Sequence, residues 1–184
     1  MPRDRSNPPR GRGAVRWDRD AVLAVVELTA FGRRASRSAQ GHRSVGVGTL
    51  VERTTRYLQL LDLPDGREAE KVNDAVKQAI TVLPEELRRT ITWDQGKEMS
   101  RHAKFTIDTG IQVYFCDPHS PWQRGTNENT NGLLRQYMPK GTDLSVHTAD
   151  VLAEIARSLN NRPRKALGYM TPSEKFAELL APTD

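Results

Sequence analysis

The chain has 184 residues, which is enough for one domain with its own hydrophobic core, with or without tails. Its 28 Lys and Arg residues outnumber 23 acidic residues and give a net charge of +5, which suits a polyanionic partner without requiring one. The one cysteine, Cys116, excludes an intrachain disulfide and a thiolate metal cluster. The longest apolar run, Ala21 to Val26, is too short to span a bilayer, and the arginine-rich start lacks the pattern of a secretory signal. We therefore expect a cytoplasmic protein of one domain with no membrane partner.

The positive charge is concentrated near the N-terminus. Residues 1–47 carry a net charge of +6, whereas the rest of the chain sums to about −1. Residues 1–16 contain five Arg together with several Pro and Gly, a composition that buries little apolar surface, so we expect a disordered tail. The apolar stretch from Ala21 to Phe31 is compatible with a short helix or a strand, and the residues from Gly32 to Arg43 are typical of a loop.

Regular patterns begin at Val47. Two strand-like segments, Val47–Arg53 and Arg56–Leu63, flank a Thr-Thr turn and predict a hairpin. A helix follows, because apolar residues recur at steps of three and four: Ala69, Val72, Ala75, Val76, Ala79, Ile80 and Leu83. The remaining predicted elements are strands over Thr90–Asp94 and Ile111–Cys116, a helix over Met99–Asp108 that stops at Gly110, and helices from about Asn127, over Ala149–Asn160 and over Pro172–Leu180. This order predicts an α/β fold, with a mixed sheet flanked by helices.

Two carboxylates stand out by their positions. Asp94 ends a predicted strand, at the sheet edge where α/β proteins commonly bind ligands, and Glu128 lies in the first turn of a helix. Each has a simpler interpretation: Asp94 as a turn acid that caps Gly96, and Glu128 as an acid favoured by the helix dipole. A helix wheel predicts an exposed face with Glu128, Asn131, Gly132 and Arg135, and a buried face with Thr130, Leu133, Leu134 and Tyr137.

Carboxylate oxygens suit hard divalent cations. Two such ions, roughly 3.5–4 Å apart, can hold the attacking and leaving oxygens of a phosphoryl transfer. Lys97, Arg124 and Arg135 are candidates for contacts with DNA phosphates, beside His102 and Lys140, and the alternative is that all five are solvated surface charges. We exclude the histidines from the metal site, because hard cations prefer oxygen ligands.

Four spaced segments carry a resemblance to a known family: Trp93–Glu98, Tyr114–Pro118, Trp122–Tyr137 and Asn160–Pro172. Together they resemble the catalytic core of DDE transposases and retroviral-type integrases, in particular the insertion-sequence thirty family of bacterial transposases, over about residues 41–176. The resemblance implies a ribonuclease H-like fold. It also implies three carboxylates that bind two Mg²⁺ or Mn²⁺ ions and drive DNA strand cleavage and strand transfer at transposon ends.

By their places in these motifs, Asp94 resembles the second carboxylate of that set and Glu128 the third, as catalytic and metal-binding residues. The first carboxylate of the family would stand near Arg34–Ser38, a segment that has none. The nearest upstream acids, Asp20 and Glu27, are too distant to take its place without a long extra loop. We therefore expect the first strand to be missing or replaced and the activity to be impaired or lost.

The resemblance covers only part of the chain and therefore predicts two segments. Residues 1–40 are predicted to be a basic segment from a shifted reading frame or a truncated element, and residues 41–180 an integrase-type catalytic core. The leading hypothesis is a transposase core fragment that acts on transposon-end and target DNA, as a homo-oligomer, in the bacterial cytoplasm and on the nucleoid. One alternative is a non-catalytic DNA-binding or oligomerising remnant that modulates an intact transposase. Another is a structure-specific nuclease on the same fold.

Overall fold

The computed structural model describes residues 24–31, 46–63, 68–85, 88, 90–93, 101–115 and 125–181, with only the backbone described at residues 24–31, 125–128 and 145. The predicted tail over residues 1–16 and the predicted loop over residues 32–43 lie outside these ranges, as do Asp20, Asp94, Lys97 and Arg124. In the ranges that are described, every helix is too short or too polar to cross a membrane.

Five strands form the centre of the fold. β1 (Ala24–Phe31), β2 (Gly46–Glu52) and β3 (Leu58–Leu63) make an antiparallel sheet with β2 in the middle. β4 (Thr90–Trp93) and β5 (Gln112–Phe115) pair in parallel, and β1 lies against β4. β2 and β3 confirm the predicted hairpin. The stretch that the sequence left open between helix and strand is a strand, so a first strand is present at Ala24–Phe31.

Five helices pack around these strands: α1 (Ala69–Thr81), α2 (His102–Thr109), α3 (Gly125–Leu134), α4 (Ala149–Asn160) and α5 (Pro172–Leu180). Two short 3₁₀ turns, Leu144–Val146 and Lys165–Leu167, lie between the later helices. Gly110 ends α2 in the left-handed conformation, as predicted, because a residue without a Cβ adopts it without strain. All five helices were expected from the sequence, with small differences at their ends.

β2 and β3 bury side chains on both faces of the antiparallel sheet. Side chains of β3 alternate between two hydrophobic clusters, because successive residues of a strand point to opposite sides. Leu61 and Leu63 join α1 and α2 on one side, around the buried Trp93, while Leu58 joins α3 and α4 on the other. The helix that carries Glu128 is therefore fixed against the sheet through its C-terminal half, at Leu134.

Candidate active site

The predicted site begins where β4 ends. Trp93, the last residue of β4, is 1% exposed and pairs with Phe115, the last residue of β5. The two strands are parallel, so their carboxyl ends share one edge of the sheet, which is the edge where α/β proteins bind ligands. Asp94 follows Trp93 directly in the chain, although Asp94 and Lys97 themselves lie outside the described residues.

The second predicted carboxylate belongs to α3. Glu128 is the fourth residue of this helix, and the structure describes its backbone only. Further along, Thr130 and Leu134 are buried and Gly132 and Arg135 are exposed, as the helix wheel predicted. The prediction was wrong for Asn131, which is only 8% exposed.

The error at Asn131 has a geometric cause. The buried stripe of this segment runs through Thr130, Asn131, Leu134 and Met138, at steps of one, three and four residues. It is thus rotated toward Asn131 relative to the stripe expected from the apolar residues alone. Leu133 and Tyr137, predicted to be buried, are only half-buried. An apolar pattern locates a buried face to within about one residue, and tertiary packing sets the rest.

The candidate DNA-contacting cations are spread over the surface. Arg135 is exposed just after α3, and Lys140 is exposed a few residues later, whereas Arg124 lies outside the described residues. The His102 ring meets the Phe115 ring edge-on, with centroids 5.0 Å apart, which places His102 beside the carboxyl end of β5. Within the described part of the chain, no three or more His, Cys, Asp or Glu side chains come together as a metal site. The roles of Asp94 and Glu128 therefore stay predictions.

Sequence reasoning gave no chemical role to a cluster of cations after α4. Arg162 donates to Gln136 Oε1 over 3.1 Å and to the Tyr137 hydroxyl over 3.4 Å. Arg164 donates from Nη2 to the Leu159 carbonyl over 3.0 Å. Because Pro163 cannot continue a helix, the sequence of this segment predicts a helix stop and a turn. The signal that could have identified it is three cations within four residues, with Lys165 as the third.

Comparison with known proteins shows which family the chain belongs to. Residues 25–121, more than half of the chain, match the integrase core domain model. The chain belongs to the integrase core domain family. Members of this family generally use divalent metal ions, and the fold is the ribonuclease H-like fold that the sequence predicted.

Relatives of this integrase core domain include insertion-sequence transposases. The chain is 44% identical over 188 residues to the transposase InsI for insertion sequence element IS30C of Escherichia coli (strain K12), covering 95% of this chain and 49% of that protein. It is 56% identical over 140 residues to the transposase for insertion sequence element IS1086 of Cupriavidus metallidurans, covering 75% of this chain and 41% of that protein. The chain thus spans about half the length of the curated relatives that it matches.

Solved structures of similar fold include retroviral integrases. The catalytic core domain of BIV integrase superposes with a TM-score of 0.61 at 18% identity, over 87% of this chain and 96% of that one. A simian T-cell lymphotropic virus intasome chain gives a TM-score of 0.62 at 15% identity, over 89% of this chain and 57% of that one. At such low identities the likeness bears on the fold alone.

Proposed function

We propose that this chain is the catalytic core of a DDE-type transposase, which cleaves and joins DNA strands by metal-dependent phosphoryl transfer. The observation that carries the proposal is the position of Asp94, one residue beyond the paired carboxyl ends of β4 and β5, in a chain of the integrase core domain family. Glu128 supports it as the fourth residue of α3, a helix that is fixed against the sheet at Leu134.

The two carboxylates fit the metal in chemical type. Asp94 and Glu128 supply oxygen ligands, which hard divalent cations such as Mg²⁺ and Mn²⁺ prefer. Such ions, when bound, stabilise charge on a reacting phosphate and lower the pKa of a bound water or hydroxyl. The buried strand end at Trp93 and the anchored helix α3 would hold the two carboxylates at fixed positions. Exposed cations such as Arg135 would attract the DNA backbone in a salt-sensitive manner.

We further propose that the activity is impaired, because the family's first carboxylate has no counterpart near Arg34–Ser38. Glu27 is the one acidic residue of β1, which lies against β4, and it pairs in register with Thr49. A two-carboxylate site would bind divalent cations more weakly than a site with three. The division of the chain into a basic segment over residues 1–40 and a core over residues 41–180 also stays a prediction. In that division, β1 would belong to the basic segment.

The second candidate function is a DNA-binding or oligomerising protein without catalysis. The net charge of +5 and the cation cluster at Arg162, Arg164 and Lys165 favour binding of a polyanion whether or not the chain cleaves it. A homo-oligomer assembled on DNA is compatible with both functions.

Incubation of the full chain with Mn²⁺ and labelled DNA that carries insertion-sequence ends tests these functions. Nicking at the ends that is lost in Asp94→Asn and in Glu128→Gln would support the transposase. Asp150→Asn is the matched control, because Asp150 is exposed in the first turn of α4 and should leave nicking unchanged. Binding without nicking would favour the second function, and cutting that ignores the ends would favour a nuclease.

A Glu27→Gln variant tests the impairment. If Glu27 completes the metal site, this substitution should abolish nicking as fully as Asp94→Asn does. If nicking is weak and unchanged by Glu27→Gln, the site works with two carboxylates, as proposed.

A further inference from the structure

Backbone hydrogen bonds join the start and the end of the loop that follows α4, over residues 164–170. The Arg164 amide donates to the Met170 carbonyl over 3.0 Å, and the Tyr169 amide donates to the Arg164 carbonyl over 2.9 Å. The 3₁₀ turn Lys165–Leu167 and the left-handed Gly168 complete the reversal. These backbone bonds fix the positions of the cations at the start of the loop.

Three cations of this loop have no acidic partner among the described residues. Arg162 and Arg164 are half-buried and Lys165 is exposed, and none of the three forms an ion pair with a carboxylate in that part of the chain. Three of the four acids on the flanking helices already have partners, and the fourth, Asp150, lies in the first turn of α4, at the opposite end of that helix from the loop. Glu154 pairs with Arg157, Glu178 pairs with Lys175, and Glu174 accepts from Thr171. The loop therefore carries an uncompensated positive charge.

Arg164 is also incompletely satisfied. One of its nitrogens, Nη2, donates to the Leu159 carbonyl, but Nε is buried and has no hydrogen-bond partner. Burial and the neighbouring charge of Arg162 lower the pKa of Arg164 below its ordinary value. A buried donor without an acceptor is destabilising, and so is a pair of like charges at close range. An anion beside the exposed part of the loop would offset the like charges, whereas Nε itself is enclosed by protein atoms.

The cluster lies close to the proposed active site. Arg162 donates to Gln136 and Tyr137, which follow α3 directly. Along the helix axis, the end of α3 lies about 9 Å beyond the backbone of Glu128, at 1.5 Å per residue.

We propose that Arg162, Arg164 and Lys165 form a DNA-docking loop that binds the phosphate backbone of a duplex held at the proposed active site. Arginine suits this role because its planar guanidinium donates two parallel hydrogen bonds to a phosphate. The contacts carry no sequence information, so they position the duplex without selecting its bases. This inference rests on the proposed function, because that function makes DNA the ligand.

Equilibrium binding of a labelled duplex to the full chain, in EDTA and at several salt concentrations, tests the loop. Arg162→Gln and Lys165→Gln should each weaken binding about eightfold at 0.1 M salt and reduce the slope of log K against log salt by about 0.9, the value for one phosphate contact. Arg157→Gln is the matched control, because it removes the same charge from an exposed guanidinium that is already paired with Glu154. A loss of affinity in the control equal to that in the loop variants would overturn the proposal, because only general charge would then be at work.

The binding and nicking assays separate the two proposals. If the wild-type chain binds DNA and the loop variants bind equally well, the loop proposal fails and the proposed function does not. If the loop variants lose affinity but the wild type never nicks DNA, the loop proposal stands and the catalytic function fails. A wild-type chain that binds no DNA at any salt concentration overturns both.

NMR detection of the arginine Nε–H groups gives a test without any change to Arg164, whose substitution could disturb folding. Titration with a short duplex should shift the Arg164 Nε–H resonance, because a phosphate beside the loop changes the electrostatic environment of the guanidinium, whereas the Arg157 resonance should not respond. An unchanged Arg164 signal at saturating duplex would overturn the assignment.

Discussion

The side chain of Asn160 pairs with the backbone of Leu58 in both directions, across 102 residues of sequence. Asn160 Nδ2 donates to the Leu58 carbonyl over 2.8 Å, and Asn160 Oδ1 accepts from the Leu58 amide over 2.9 Å. Leu58 begins β3, the outer strand of the antiparallel sheet. The amide of Asn160 thus satisfies one backbone position of an edge strand and joins the end of α4 to the sheet.

Replacement of Asn160 should cost a large part of the stability. Asn160 is 3% exposed, so Asn160→Ala would leave the amide and carbonyl of Leu58 without partners in a buried place. We expect the free energy of unfolding to fall by about 2–6 kcal/mol, from about 1–3 kcal/mol for each of the two unsatisfied buried groups. Urea unfolding measures this. Asn161→Ala, at the exposed neighbour, should change the free energy by less than about 1 kcal/mol. Equal effects at both positions would contradict the assigned role.

The hairpin between β2 and β3 depends on the buried Glu52. Its carboxylate accepts from the Thr54 amide over 2.8 Å and from the Thr55 amide over 2.6 Å, as well as from the Thr55 hydroxyl. Glu52→Ala should lower the free energy of unfolding by about 2–3 kcal/mol, because two turn amides lose a charged acceptor. Glu68→Ala removes an exposed acid that pairs with Lys71 over 3.6 Å, and should cost at most about 1 kcal/mol. Thermal unfolding of both variants checks the difference.

Tyr169 combines exposure with backbone strain. It is 70% exposed and has a φ of 70°, a left-handed conformation that a Cβ disfavours by about 1–2 kcal/mol. Glycine avoids this clash but loses about 0.5–1 kcal/mol of backbone entropy, so Tyr169→Gly should raise the free energy of unfolding by about 0.5–1 kcal/mol. Tyr169→Ala keeps the Cβ and should show no gain. If the alanine variant is stabilised as much as the glycine variant, strain is not the cause.

The stability of the first turn of α5 should depend on pH, because the carboxyl group of Glu174 accepts hydrogen bonds there. Glu174 Oε2 accepts from the Thr171 amide over 2.7 Å and from its hydroxyl over 2.9 Å, and these hydrogen bonds hold the pKa of Glu174 below its ordinary value of 4.5. A carboxyl whose pKa is lower in the folded chain stabilises it above the unfolded pKa, and this contribution is lost as the pH falls through the folded pKa.

Amide hydrogen exchange at Thr171 measures this dependence. At neutral pH, protection of the Thr171 amide should be lower in Glu174→Gln than in the wild type, and the difference should vanish once the pH falls below the folded pKa of Glu174. Glu178→Gln, which removes a carboxylate paired with Lys175 in the same helix, should leave Thr171 protected at neutral pH. A wild-type amide that stays equally protected at acid pH would argue against the cap.

Local sequence patterns alone determined much of the secondary structure of this protein. The β2–β3 hairpin follows from two strand-like segments around a turn, and α1 and α4 follow from apolar residues at steps of three and four. Gly110 and Thr171 mark a helix end and a helix start by chemistry that operates within four residues. Four motifs were enough to predict the family and the fold. The same motifs identified Asp94 and Glu128 as candidate ligands, and these roles remain predictions.

Tertiary structure decided what depends on partners that are distant in the chain. Asn131 is buried although the apolar pattern of its helix places it on the exposed face, and the role of Asn160 follows from the place of Leu58, 102 residues away. The hydrogen bonding and the lowered pKa of Arg164 likewise depend on the Leu159 carbonyl and the Arg162 guanidinium that lie near it in space. Periodicity reports only that a side chain faces the interior, whereas hydrogen bonding and charge are settled by the groups that packing brings within about 3 Å.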